Sequence, residues 1–336
     1  MSVFRRSHWI SPAALIYAQL AHGFAWVLVL WIAWSGNLPN ALYGFAWIYS
    51  VALAWVTMAA LTMLIHALPE FTGAPWRGET FARWSIALYG CGVALLLFGF
   101  LGDSRILPAA GGVMLIALCV YLGTAFATIS GAMRMGFGLA WMLGGHAITG
   151  TVTRMPRMHS VVGLFAIGGV LLLAAGVAEN IRALEWIGGA LFAIAALGYA
   201  IDTIDIVGRA VNRHRPPQAF VLAGVFWLFV SLALGAGVLS GKPWQQAFAF
   251  VLLMGLIGQV ANAHVYHTVI RQDLLEARLS WFSVYAFQVA IGVIAYALTS
   301  GDASLVARGA VFGITGWIAM IANVLAARTR ARLLRY

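Results

Sequence analysis

The sequence predicts an all-α, polytopic transmembrane helix bundle of about ten spans, and three observations carry that expectation. Of 336 residues, 62% are hydrophobic and 9% charged, with a mean hydropathy of +0.91. A soluble domain carries roughly 25% charged residues, so this chain cannot clothe a water-facing surface. Apolar runs of about 20 residues recur from residue 12 onward, each enough to cross a hydrocarbon core of about 30 Å at 1.5 Å per residue. The basic residues, finally, sort into alternate loops.

In chain order the spans are read at about 12–34, 41–68, 82–101, 106–129, 160–179, 184–207, 218–239, 246–270, 280–299 and 304–327. The first follows the basic start MSVFRRSHW and lacks a cleavage site, so it is read as a retained helix and not as a signal peptide. With the N-terminus inside, the inner segments hold sixteen arginines, from Arg5 and Arg6 to Arg332 and Arg335. The outer loops hold four basic residues, Arg105, Arg182, Lys242 and Arg308. That bias follows the positive-inside rule and places both termini in the cytoplasm, in a cell inner membrane. The net charge of +10 belongs to this pattern, so the expected surroundings are a lipid bilayer and no nucleic-acid partner is expected.

Residues 1–336 are read as a single transmembrane domain. Residues 135–153, MGFGLAWMLGGHAITGTVT, are apolar, but the glycines and His146 fit a re-entrant or interfacial segment better than an eleventh span. A weak internal repeat relates 41–68 to 246–270, with His66 opposite His267; bundles built from repeats place sites on corresponding helices. Cys91 and Cys119 read as buried small hydrophobes with no zinc-site spacing.

Candidate chemistry lies in polar residues inside the spans, which usually face a bundle interior or a ligand. His264 and His267, in ANAHVYHTVIR, are three apart and share one helix face, the spacing of a metal-ligand pair. His66 closes span two, His159 opens span five, and with His146 they lie at the same cytoplasmic level. His22 lies near the middle of span one, roughly 15 Å from either surface. The functional reading makes His264, His267, His66, His159 and His22 cofactor ligands, with metal on the 264/267 pair. The alternative is helix packing and interfacial hydrogen bonding. Asp205 and Arg209 have ion-pair spacing, which leaves Asp202, one turn deeper, to orient an imidazole or carry protons. Tyr266 and Asn262 are candidates beside the metal. Pro69 is expected to end span two. No nucleotide-binding loop, hydrolase motif or CxxCH is present.

The run ALAWVTMAALTMLIHALPEFTG of span two resembles a segment of the catalytic subunit of haem-copper oxidases. LLMGLIGQVANAHVYH and RMHSVVGLFAIGGVLL are similar to further helices of that family. The resemblance implies a helical bundle binding haem, copper or both, handling electrons or a diatomic gas and meeting a redox partner. Departures are plain: Ser50 or Val51 stands where a haem-ligand histidine opens span two, and no His-His pair or HPEVY segment is present. Two other readings stay open, a cofactor-free proton-coupled transporter and a structural or assembly factor.

Overall fold

Proline opens three of the helices, where its missing N–H is no loss and its fixed φ suits the first turn. The computed structural model describes residues 12–36, 46–72, 75–130, 156–210, 215–268 and 275–333, and every regular element among them is helical. In order these are α1 (Pro12–Trp34), a π-helical stretch π1 (Ser50–Thr57), α2 (Met58–Thr72), α3 (Glu79–Leu101), α4 (Leu107–Ser130), α5 (Pro156–Glu179), α6 (Arg182–Arg209), α7 (Pro216–Leu239), α8 (Gln245–Phe250), a second π-helical stretch π2 (Val251–Ile257), α9 (Gly258–Thr268), α10 (Ala277–Ser300) and α11 (Ala303–Leu333). Eight described helices are long and apolar enough to cross a membrane, and two shorter apolar helices, Gln19–Trp34 and Ala46–Thr62, lie where spans one and two are read. Outward-facing Trp84, Phe126, Leu164 and Leu171 are exposed; apolar side chains turned outward are what a bilayer, and not water, demands.

Two local expectations are corrected. Pro69 lies inside α2, which continues to Thr72. There it removes the one bond that residue 69 would give to the Ile65 carbonyl, and the helix ends a turn later. Cys91 and Cys119 are exposed on α3 and α4; small thiols tolerate a lipid-facing position as readily as a core one. Residues 135–153 with His146, and the side chains of His66, His159, His264 and His267, lie outside the described residues.

The chain divides into two compact units. The first comprises Met1–Gly136, Thr268–Ala290 and Asp302–Tyr336. Here α1 runs antiparallel to α11 through a reciprocal exchange of glycine and tryptophan. A Cβ on Gly23 would stand 2.5 Å from Trp317 of α11, and a Cβ on Gly313 would fall within the indole of Trp26. Trp317 Nε1–H donates to the Gln19 carbonyl at 2.9 Å, fixing the register. Close approach at small residues is how helices associate without a hydrophobic driving force between them.

Wholly buried Asn323 of α11 clamps the start of α10. Its Oδ1 accepts from Glu276 N (2.8 Å), and its Nδ2 donates to Glu276 O (3.0 Å) and to Ser280 Oγ (2.8 Å). With roughly 0.6–1.5 kcal/mol for each of the three bonds, Asn323→Leu is expected to cost about 2–4 kcal/mol in equilibrium unfolding. Asn323→Asp should not rescue it, since it removes both donated bonds.

Between α10 and α11, Gly301 takes φ +78° and Asp302 caps α11. Its Oδ1 accepts from Ser304 Oγ (2.8 Å), Ser304 N (2.9 Å) and Leu305 N (3.3 Å). The Ser304 hydroxyl foremost, then the Leu305 amide, holds this carboxyl below its usual range. A lowered carboxyl stabilises the fold above its unfolded pKa and ceases to as pH falls through the folded value. Amide exchange at Ser304 and Leu305 should therefore quicken, after correction for intrinsic rates, as pH drops below the ordinary carboxylate range. Asp302→Asn should abolish that dependence.

The second unit comprises Phe137–His267 and Ile291–Gly301. α5 and α6 form a hairpin turned at Asn180, whose φ of 55° is left-handed, a conformation asparagine tolerates. The hairpin closes on glycine: Cβ atoms on Gly169 or Gly188 would stand 2.6–2.8 Å from backbone atoms of the facing helix. α7 packs on α6, α8 and π2.

Candidate functional site

The two π-helical stretches sit in the two helices that the sequence pairs. π1 ends at Thr57 and π2 at Ile257, 200 residues apart; the pairing of His66 with His267 runs one residue out of step with this. An ordinary α-helix advances about 40° past a full turn every four residues, which would swing a buried stripe away from its neighbour. Widening the turn offsets the drift. Buried pairs recur every four residues, at Ser50/Val51, Ala54/Trp55 and Met58/Ala59 in one helix and at Phe250/Val251, Met254/Gly255 and Gly258/Gln259 in the other. Each widened turn is closed by a side chain reaching back five residues: Thr57 Oγ1 donates to Ala52 O at 2.7 Å and Gln259 Nε2 to Met254 O at 3.2 Å. Such π insertions are rare and frequent at functional sites.

In the first unit π1 packs on α1 and sets Trp55 flat on His22, with ring centroids 3.6 Å apart and planes 2° from parallel. Phe287 of α10 lies 5.3 Å from the same imidazole. Trp26 Nε1–H donates to His22 Nε2 at 2.8 Å. Nε2 therefore carries the lone pair, and the neutral ring bears its proton on Nδ1. That Nδ1 is buried and meets no hydrogen-bond partner, nor do Gln19 Nε2, Gln19 Oε1 or Trp55 Nε1. With Nε2 engaged and the ring stacked, His22 has the surroundings of a packed imidazole and not of a haem ligand. Depth alone suggested a specific partner for it; Trp26 is that partner, one turn away at i+4.

In the second unit α9 is buried along Asn262, Ala263, Val265 and Tyr266. Tyr266 stacks on Phe220 of α7, centroids 5.7 Å apart. Asn262 is wholly buried, and neither its Oδ1 nor its Nδ2 meets a partner. At about 100° per residue, positions 262 and 264 lie roughly 200° apart. Asn262, Tyr266 and Gln259 share one face of α9.

Asp205 Oδ2 accepts from Arg209 Nη2 (2.6 Å) and Nε (3.0 Å), the ion pair that the spacing suggests. Partly exposed, it is worth about 0.3–0.5 kcal/mol. Asp202, one turn back, is buried with 9% exposure. No group of three His, Cys, Asp or Glu that could hold a metal occurs among the described residues. Gln19 and Asn323 were not singled out from sequence. An uncharged amide inside a span signals its partner only once the neighbouring helix is in place.

Compared with known proteins, the chain matches no family model and no curated relative.

Proposed function

We propose that the chain is a ten-span protein of the inner membrane, both termini cytoplasmic, that carries a haem or copper centre in redox or diatomic-gas chemistry on a scaffold like that of the haem-copper oxidases. The observation that supports this most is the placing of the π insertions. Among the described helices they occur only in the two that carry His66 and His264 with His267. A π turn re-aims everything C-terminal to it, and it tends to survive where aim matters.

The donor chemistry fits the group: two imidazoles at i, i+3 on a helix suit haem iron or copper. His264 and His267 would hold it, with His159 of the same unit as a further partner. Asp202, buried in the same unit as α9, would fix the tautomer of a ligating ring by accepting its second N–H. Asn262 and Tyr266 would set the rotation of α9. When bound, the group supplies one-electron chemistry; the chain supplies ligands, orientation and a dry surround. His22 is left out of this set because Nε2, the nitrogen it would offer, already accepts from Trp26.

Elemental analysis of the detergent-purified full chain should find near-stoichiometric iron or copper, lost in His264→Ala/His267→Ala. One observation favours a second reading, a proton-coupled transporter: both units contain a helix packed on a π-interrupted partner, and paired interrupted helices often mark transporter sites. pH-dependent flux in proteoliposomes that vanishes in Asp202→Asn, from protein free of metal, would select it.

A further inference from the structure

We infer that the first unit holds a buried water site formed by Gln19, His22 and Trp55, independent of the α9 histidines. Three donors lie on this part of α1 and π1 without a protein acceptor: His22 Nδ1–H, Trp55 Nε1–H and the Gln19 amide; the Gln19 carbonyl oxygen is likewise unpartnered. Gln19 and His22 lie one turn apart on the same face of α1, and Trp55 lies against the imidazole at 3.6 Å. His22 and Trp55 are 1% exposed and Gln19 6%. Leaving so many buried polar groups unmade would cost about 1–3 kcal/mol each. A buried water typically makes about three hydrogen bonds to otherwise unsatisfied groups; accepting from two of these donors and donating to the Gln19 oxygen, it would meet three of the four groups.

The second unit shows that the scaffold does not require this polar trio. In the register that sets His66 opposite His267, Gly23 and Trp26 of α1 correspond to Gly224 and Trp227 of α7. Both tryptophans are buried, and both pack into a glycine: Trp26 at Gly313, Trp227 at Gly255. Both helices pack on a π stretch. Where the first unit has Gln19, His22 and Trp55, however, the second has Phe220, Ala223 and Leu256. The same packing contacts are thus made with apolar residues at the three positions that Gln19, His22 and Trp55 occupy in the first unit. Polar side chains at membrane depth are expensive and tend to be kept for a ligand or a pathway. Here the unmet groups are mostly donors, and their chemical complement is a small oxygen acceptor. Trp26, Trp55 and Phe287 all pack on the same imidazole.

Millisecond hydroxyl-radical footprinting of the full chain tests this, because radicals generated from a bound water oxidise the side chains beside it even when bulk solvent is excluded. Trp55 should be labelled, and Trp227, also buried but with apolar residues at the corresponding positions, should not. Gln19→Leu with His22→Phe should bring Trp55 labelling down to the Trp227 level. Gln19→Leu alone, the milder change, should lower it in part, so a folding defect in the double variant does not hide the result. Labelling of Trp55 no faster than Trp227 in the unaltered protein, or labelling that ignores these substitutions in folded protein, overturns the water site.

Discussion

Gly188→Leu is expected to destabilise the second unit by about 3 kcal/mol or more, the upper end of overpacking costs. At this glycine even a methyl would stand 2.6 Å from Leu173 N and 2.7 Å from Gly169 O. Those are backbone atoms, which no rotamer change can move aside, so α5 and α6 must separate along their length. Gly169→Leu should behave alike, since its Cβ would meet Gly188 O and Phe192 N at 2.8 Å. One residue away, Gly168 has nothing within 4 Å. Gly168→Leu should be neutral, or stabilising by up to about 0.8 kcal/mol through helix propensity alone. Thermal unfolding in detergent separates the cases, and equal effects at 168 and 169 would contradict the hairpin packing.

His264→Ala with His267→Ala is expected to abolish cofactor retention while leaving helix content unchanged. Removing ligands eliminates the site, whereas removing an orienting carboxylate only weakens it. Asp202→Asn should accordingly lower metal affinity about 10–100-fold. His22→Phe, by contrast, should leave cofactor content intact, because the Trp26 N–H already occupies the nitrogen that ligation would use. Loss of cofactor in His22→Phe, with His264→Ala/His267→Ala unaffected, would move the centre from α9 to α1.

Much of the helical architecture was legible because the bilayer imposes a length and an apolar composition on every span. The spans read from sequence match the described helices to within a few residues, as at 12–34 and α1 or at 218–239 and α7. Which way an apolar residue faces was not legible. Inside a membrane the lipid side and the protein side are both apolar, so nothing in the neighbourhood of Cys91 or Cys119 marked them as outward-facing. The π stretches were hidden for a related reason. They answer the need to hold a straight buried stripe against a neighbouring helix, a tertiary demand that leaves no local motif in SVALAWVT or VLLMGLI. Asn323 escaped notice because its partners lie 47 and 43 residues away in sequence. The candidate site was legible in kind: polar groups in spans one and eight stood out, and Asn262 and His22 are buried. What they touch was not, and His22 illustrates it. Its depth called for a specific partner, and its contacts give it a tryptophan donor and an aromatic stack.

The central proposal, a haem or copper centre held from α9, is tested most directly by the reduced-minus-oxidised absorption spectrum of the purified full chain. A haem difference band, or a copper absorption that bleaches on reduction, that disappears in His264→Ala/His267→Ala is the expected result. A flat difference spectrum from folded protein purified with its membrane lipids would contradict it.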